Sequence, residues 1–263
     1  MTTMVRTRTR QQEQVIHRIN PVAKLIAAMI IGLCLLLSID AVSALVALAL
    51  EAVLLLWAGL SFREFFVRTA PLWIAVPLTG LTTALYGVDS GAVLWQFGWI
   101  SVTDGSIELA VAMMLRILAA GLPAIVLFVT TDPTDLADGL AQVLHLPERF
   151  VLGGLAGLRL VGLFIDDWRS LSLARRARGV GDSGRIRRFG GQAFALLVLS
   201  VRRATKLATA MEAKGFGSPG ARSWARSSPF GWREIMLIAI GVVIGAAAVT
   251  AAVLAGTWRF ILG

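Results

Sequence analysis

Charge is scarce in this 263-residue chain: Asp, Glu, Lys and Arg make up 16% of it, against about 25% in soluble domains. Hydrophobic residues fill 57% and the mean hydropathy is +0.76, so the chain reads as an integral membrane protein. Cysteine is nearly absent. Cys34 stands alone, which excludes an intramolecular disulfide and leaves it as a small apolar filler. Lysine occurs only at Lys24, Lys206 and Lys214, never in a Gly-rich loop, and the pattern G-x-x-x-x-G-K-[ST] is missing. A P-loop ATPase is therefore excluded, and "FGGQ" at Phe189–Gln192 is not read as a nucleotide site. His17 and His145 are isolated from each other and suggest no metal site. The opening segment "MTTMVRTRTRQQEQVIHRIN" is polar and basic, without the apolar centre of a typical cleavable signal.

What is present is a series of apolar runs. A helix needs about 20 mostly apolar residues to cross the bilayer core. Val22–Ile39, Ala41–Leu60, Ala70–Gly87 with Pro77 inside it, Ser106–Thr131 and Glu234–Ala255 are five candidates. Asn20-Pro21 places an N-cap before a proline in the first helical turn. In "TTDPTDLADGL", Asp132 or Thr134 caps, and Asp135 and Asp138 suit the positive end of a helix dipole. The intervening segments differ in charge. Arg6, Arg8, Arg10, Arg18 and Lys24 lie at the start, Arg63 and Arg68 follow the second run, and sixteen Lys and Arg lie between Asp132 and Arg233. The stretch Gly87–Gly105 has none, and Arg259 is alone at the end. The positive-inside rule then places the N-terminus in the cytoplasm and the C-terminus outside. The predicted organisation is a basic cytoplasmic arm at 1–21, four membrane helices at 22–131, cytoplasmic coupling helices at 132–217, a Gly/Pro/Ser-rich connector at 218–233, and a last membrane helix with a stub at 234–263.

The region from 132 to 217 predicts a short helix, Thr134–His145, and two long ones, Glu148–Arg178 and Ile186–Lys214. Each long helix begins apolar and ends charged. Their apolar parts are short for a span, so the pattern fits helices lying along the inner membrane face better than two further crossings. Gly153, Gly154 and Gly157, with Ala156 and Gly162, suit close approach of another helix. Both helices end in small-basic-Gly: Ala177-Arg178-Gly179, preceded by Arg175 and Arg176, and Ala213-Lys214-Gly215. Glycine suits the left-handed position past a helix end, and a cation suits the negative end of the dipole. Capping alone accounts for one such ending. Two on successive helices of matched design look like two plugs for a partner with twofold symmetry.

"TTDPTDLADGLAQVL", "LARRARG" and "AMEAKGFG", with "INPVAKLIAAMI" and "IELAVAMMLRILAAGLPAIVLFVTTDPTDL", together resemble the transmembrane T component of energy-coupling factor (ECF) transporters, the EcfT/CbiQ family, over residues 17–255. The resemblance implies an all-α membrane protein of about five spans and two coupling helices. It implies a non-catalytic subunit that binds no cofactor, ATP and Mg being held by partners. Those partners are two ABC-type ATPase subunits, or a fused pair, and a small membrane-embedded substrate-binding S component. The lipid bilayer is the fourth partner, and nucleic acid is not expected despite the net charge of +9. By motif match, Arg178 between Ala177 and Gly179, and Lys214 between Ala213 and Gly215, dock on the ATPases, with Arg175 and Arg176 supporting. Gly153, Gly154 and Gly157 are candidates for S-component contact. Where the family has a second arginine this chain has Lys214, which keeps the charge and loses the planar fork. The implied cargo is a vitamin or a nickel or cobalt ion, and the implied location is the cytoplasmic membrane of a bacterium or archaeon.

Some residues stand outside this reading. Arg116 sits inside an apolar run, with Glu51 and Glu108 as possible partners. Trp73, Trp95, Trp99, Trp232 and Trp258 suit membrane interfaces. The pair Asp166-Asp167 beside Trp168 and Arg169 supports a rival reading as a membrane-embedded enzyme binding Mg²⁺. The basic surplus supports another, a scaffold on anionic lipid or ribosomes.

Overall fold

The computed structural model describes residues 19–37, 39–57, 66–67, 69–87, 90–97, 100–179, 184–217, 224 and 226–258. Residues 1–18 of the basic arm with His17, Arg63, Arg68, Trp99, residues 218–223 and 225 of the connector, and Arg259 lie outside the described residues. The chain forms two units, Met1–Gly139 with Ser228–Gly263, and Leu140–Ser227.

The first unit is built on helices α1 (Pro21–Leu36), α2 (Ala41–Trp57), α3 (Ala70–Tyr86), α4 (Asp104–Thr130) and α8 (Trp232–Leu254), and takes in the start of α5 (Pro133–Gln142). Each of the five apolar runs forms one helix. By length and composition α4 and α8 are long and apolar enough to cross a membrane, and α1, α2 and α3 are shorter apolar helices. Ile31, Leu35, Ala47, Ala119, Ile244 and Ala248 form one buried cluster that joins α1, α2, α4 and α8. Leu72, Val76 and Leu122 form a second, between α3 and α4. Cys34 packs against Gly245, a filler's place. Large apolar side chains also point outward: Leu33, Ile74 and Val243 are each more than 60% exposed. An apolar interior under an apolar exterior is the pattern of a bundle whose solvent is lipid.

Within the all-α class there is one addition. The stretch read from sequence as a loop holds a hairpin, β1 (Val93–Phe97) antiparallel to β2 (Ile100–Thr103). It leads straight into a capping box. The Thr103 side chain accepts the Ser106 N–H at 3.2 Å, and Ser106 Oγ accepts the Thr103 N–H at 3.0 Å, so α4 begins at Asp104, slightly earlier than predicted.

Polar contacts gather at the other end of α4. Lys24 is 7% exposed, and its Nζ donates to the Thr130 carbonyl at 3.1 Å and hydroxyl at 3.2 Å. A cation is thereby set against the closing carbonyls of α4, the favourable end of the helix dipole. Asn20 does more than cap α1. Its Oδ1 accepts the Val22 N–H at 3.0 Å, and its Nδ2 donates to Ser228 Oγ at 2.8 Å and the Pro229 carbonyl at 2.9 Å. Its backbone N–H donates to Glu234 Oε1 at 3.2 Å. Gly139 fits beside this knot because it has no Cβ, which would lie 2.6 Å from Val22 Cγ2 and 3.1 Å from Asn20 Oδ1.

The second unit carries α6 (Glu148–Ala177) and α7 (Arg185–Ala213). α5 ends before the predicted His145, which takes a left-handed φ of 51°. α6 buries no residue at all. The two long helices meet through specific polar and aromatic contacts instead. Arg203 grips Asp167 with two bonds of 2.6 and 3.3 Å, and the Trp168 and Phe189 rings lie 5.5 Å apart.

Asn20→Ala removes a helix cap and both side-chain bridges while leaving Glu234 in place. It is expected to lower stability by about 2 kcal/mol, read as a lower unfolding temperature in mild detergent. An unchanged temperature would show that the knot carries no load.

Candidate functional site

The ends of α6 and α7 are built alike. Each closes at an alanine, and a basic residue follows as the cap: Arg178 with φ −89° and ψ 6°, and Lys214 with φ −89° and ψ 10°. A left-handed glycine comes next, Gly179 at φ 70° and Gly215 at φ 78°. A side chain at such a φ is strained by its own Cβ, so glycine is needed twice for one local reason. The glycine N–H groups bond back to Arg176 and Glu212 at 3.0 and 2.9 Å, closing carbonyls that helix ends leave open. At the second end Phe216 N–H also reaches the Met211 carbonyl at 2.9 Å.

Ala177, Arg178, Gly179, Ala213, Lys214 and Gly215 are all exposed. Neither cation is held by a salt bridge among the described residues. Two charges are thus presented on rigid, matching backbones, an arrangement suited to acidic or carbonyl-rich sockets. The residues before the first motif divide. Arg176 is exposed, whereas Arg175 folds back over Gly191 and donates to the Arg188 carbonyl at 3.3 Å. Arg175 is therefore a brace between α6 and α7.

Gly153, Gly154 and Gly157 are exposed, and a Cβ built on any of them meets nothing within 4 Å. The described residues supply no helix against this face.

The sequence offered Glu51 and Glu108 as partners for Arg116. Arg116 makes no salt bridge to either among the described residues, and the two Asp40 oxygens accept the Ser43 N–H and hydroxyl at 2.7 Å. Glu51 is 3% exposed, and neither carboxyl oxygen has a hydrogen-bond partner among the described residues. Asp167, one half of the proposed Mg²⁺ pair, has both oxygens taken by Arg203, and Asp166 lies 4.0 Å from Arg169. The described residues contain no group of three or more His, Cys, Asp and Glu placed to share a metal ion.

Sequence reasoning did not join Asn20, Lys24, Thr130, Gly139 and Glu234. Four of them, all but Glu234, lay in quoted motifs, "INPVAK" and "TTDPTDLADGL". The available signal was that these motifs hold polar residues at the ends of apolar helices.

Comparison with known proteins puts a family beside this geometry. The family model CbiQ, described as cobalt transport protein, matches residues 12–224, a range that includes both helix-end motifs. The chain is similar to the energy-coupling factor transporter transmembrane protein EcfT of Brevibacillus brevis, 25% identical over 256 residues, covering 93% of this chain and 94% of the relative. It is similar to the EcfT of Streptococcus equi subsp. equi, at 28% over 243 residues, with 88% and 90% covered. The EcfT of Limosilactobacillus fermentum is 29% identical over 255 residues, with the same shares covered.

A buried carboxyl without a partner costs about 1–3 kcal/mol. Glu51→Leu is accordingly expected to raise the unfolding temperature in detergent. A lower one would mean that the carboxyl has a partner in the membrane-embedded protein.

Proposed function

The chain belongs to the CbiQ family, and from that premise we propose that it is the transmembrane energy-coupling subunit of an ECF-type importer. In this reading it joins two cytoplasmic ABC-type ATPase domains, on separate subunits or fused, to a small membrane-embedded S component that binds the cargo. The cargo is a vitamin or a nickel or cobalt ion, and the S component selects it. α1, α2, α3, α4 and α8 are the five spans, with the N-terminus in the cytoplasm. ATP and Mg²⁺ are bound by the partners, and this chain hydrolyses nothing.

One observation carries the reading: two long helices end in the same exposed cap geometry, each presenting one cation. A pair of related ATPase domains offers two related grooves, and two matched plugs answer them. Closing and opening of the ATPase pair then moves the tips of α6 and α7 together, and the helices transmit that motion to the S component. The open face at Gly153, Gly154 and Gly157 is the proposed seat for that component, since small residues admit another helix at short range. Lys214 presents a point charge where Arg178 presents a fork, so the two sockets are expected to differ. The scaffold reading does not account for two matched ends. The enzyme reading loses the free carboxylate it needed at Asp167.

The test is co-purification. The tagged chain, co-expressed with its ATPase and S partners, should bring down both. The Arg178→Ala, Lys214→Ala double variant should insert normally and retain about a hundredth of the ATPase, since each charge-assisted contact contributes roughly 1.5–3 kcal/mol. Wild-type ATPase retention and transport by that variant would overturn the docking assignment.

A further inference from the structure

Arg149 is the second residue of α6, in its opening turn, where a cation gains nothing from the helix dipole. Its place is explained by what it reaches. Its Nη2 donates to the Gly217 carbonyl, 68 residues away. Gly217 follows Lys214 by three residues and is the second left-handed glycine there, at φ 86°. The tip of α7 is therefore held from outside as well as from within. From within, the Lys214, Gly215 and Phe216 N–H groups bond back to Ala210, Met211 and Glu212. From outside, Arg149 ties the turn after the cap to α6.

The other end of the pair has the same device. Arg175, three residues before Arg178, donates to the Arg188 carbonyl at 3.3 Å and lies against Gly191, in the opening turns of α7. Between the two, Arg203 holds Asp167. The three contacts run in antiparallel order. The end of α6 meets the start of α7, the middle meets the middle, and the start of α6 meets the turn past α7. Arg149 and Arg175 lie about 39 Å apart along α6 at 1.5 Å per residue. Two arginines on one helix thus clasp both ends of the other. In each clasp a guanidinium holds a main-chain carbonyl, so what it fixes is backbone.

We propose that Arg149 is a positioning residue for the second plug: by holding the Gly217 carbonyl it sets where Lys214 is presented relative to α6, as Arg175 does for Arg178. The functional half of this proposal rests on the docking reading, and the geometric half does not. The cap fixes Lys214 on α7, and the clasp fixes the tip of α7 on α6. Lys214 needs that second constraint more than Arg178 does. An ammonium is a point charge without a preferred orientation, so its place is all that it brings to a socket. Two plugs for two related grooves must also keep a set separation, and a clasp at each end of the helix pair holds it.

The experiment uses the full chain in nanodiscs, with Cys34→Ala and spin labels at Ala174→Cys and Ala210→Cys, exposed positions one turn before each plug. Double electron–electron resonance should give one narrow distance. Arg149→Gln should broaden it, and Arg149→Lys, which keeps a donor, should restore most of it. Gly217→Ala, strained at its φ, should broaden it as well. In the complex assembled with ATPase and S partners, Arg149→Gln should lower transport about fivefold, the loss of one hydrogen bond. Arg149→Lys should stay close to wild type, and both Arg149 variants should keep the wild-type unfolding temperature. An unchanged distance in both Arg149→Gln and Gly217→Ala would overturn the clasp. A broadened distance with wild-type transport, where the Arg178→Ala, Lys214→Ala variant loses its ATPases, would overturn the positioning role. Equal losses in Arg149→Gln and Arg149→Lys, with a lower unfolding temperature, would mark a folding role and overturn it too. Wild-type ATPase retention by the double variant would instead overturn the docking reading, and the label distances would still decide the clasp.

Discussion

The fold turns on how the chain gets from one unit to the other and back. It leaves the first unit after Gly139 and returns at Ser228, and both of those residues touch Asn20. Asn20 also starts α1 and, through its backbone, meets Glu234 at the start of α8. One amide side chain with two donors and an acceptor is sized for this work. A hydroxyl or a carboxylate would leave one of the partners unanswered. Lys24, one turn further along α1, ties the end of α4 to the same region. The cost of burying these groups is offset only because each one is bonded. The bundle therefore has a polar rim that is well defined under an interior held only by apolar packing.

A consequence follows for the second unit. α6 has no buried residue, so it gains little from a core. Its order comes from its own helix, from the Asp167–Arg203 pair, from the Trp168–Phe189 contact and from Arg175 across Gly191. Few contacts of modest strength are what a segment needs if it is to move against its surroundings. The matched caps at its two helix ends require no such core, because a left-handed glycine closes a helix from within.

Much of this was legible in sequence. The five apolar runs, the Asn20-Pro21 start and the Asp132 cap were readable because hydrophobic length and capping chemistry are local. Asp132 Oδ1 does accept the Thr134 N–H, at 2.7 Å. The two small-basic-Gly endings were readable for the same reason. The hairpin was not, although a Gly-first two-residue link between apolar runs is a hairpin signal. Gly98-Trp99 lay inside a stretch judged by its lack of basic charge. Long-range pairings were beyond reach. Glu234 meeting Asn20 spans 214 residues, and no local pattern encodes that. Arg175 looked like its neighbours in a basic cluster, and only the approach of Gly191 gives it a separate task.

The two helix ends are equal in backbone and unequal in side chain, and in the proposed coupling role that difference would bear on how force passes through them. A guanidinium forms two parallel bonds with a carboxylate and resists rotation. An ammonium forms bonds in any direction and permits it. If both tips were forked, a pair of ATPase domains that rotate as they close would twist both helices alike. Under the proposed docking, with Arg178 on one and Lys214 on the other, the first tip would follow its socket in direction and position, and the second would follow in position alone. α6 then carries the oriented end. It is the helix whose face at Gly153, Gly154 and Gly157 is open to another helix and whose Asp167 is gripped by α7. Under that proposal the asymmetry would place directional control on the helix that carries the exposed glycine face.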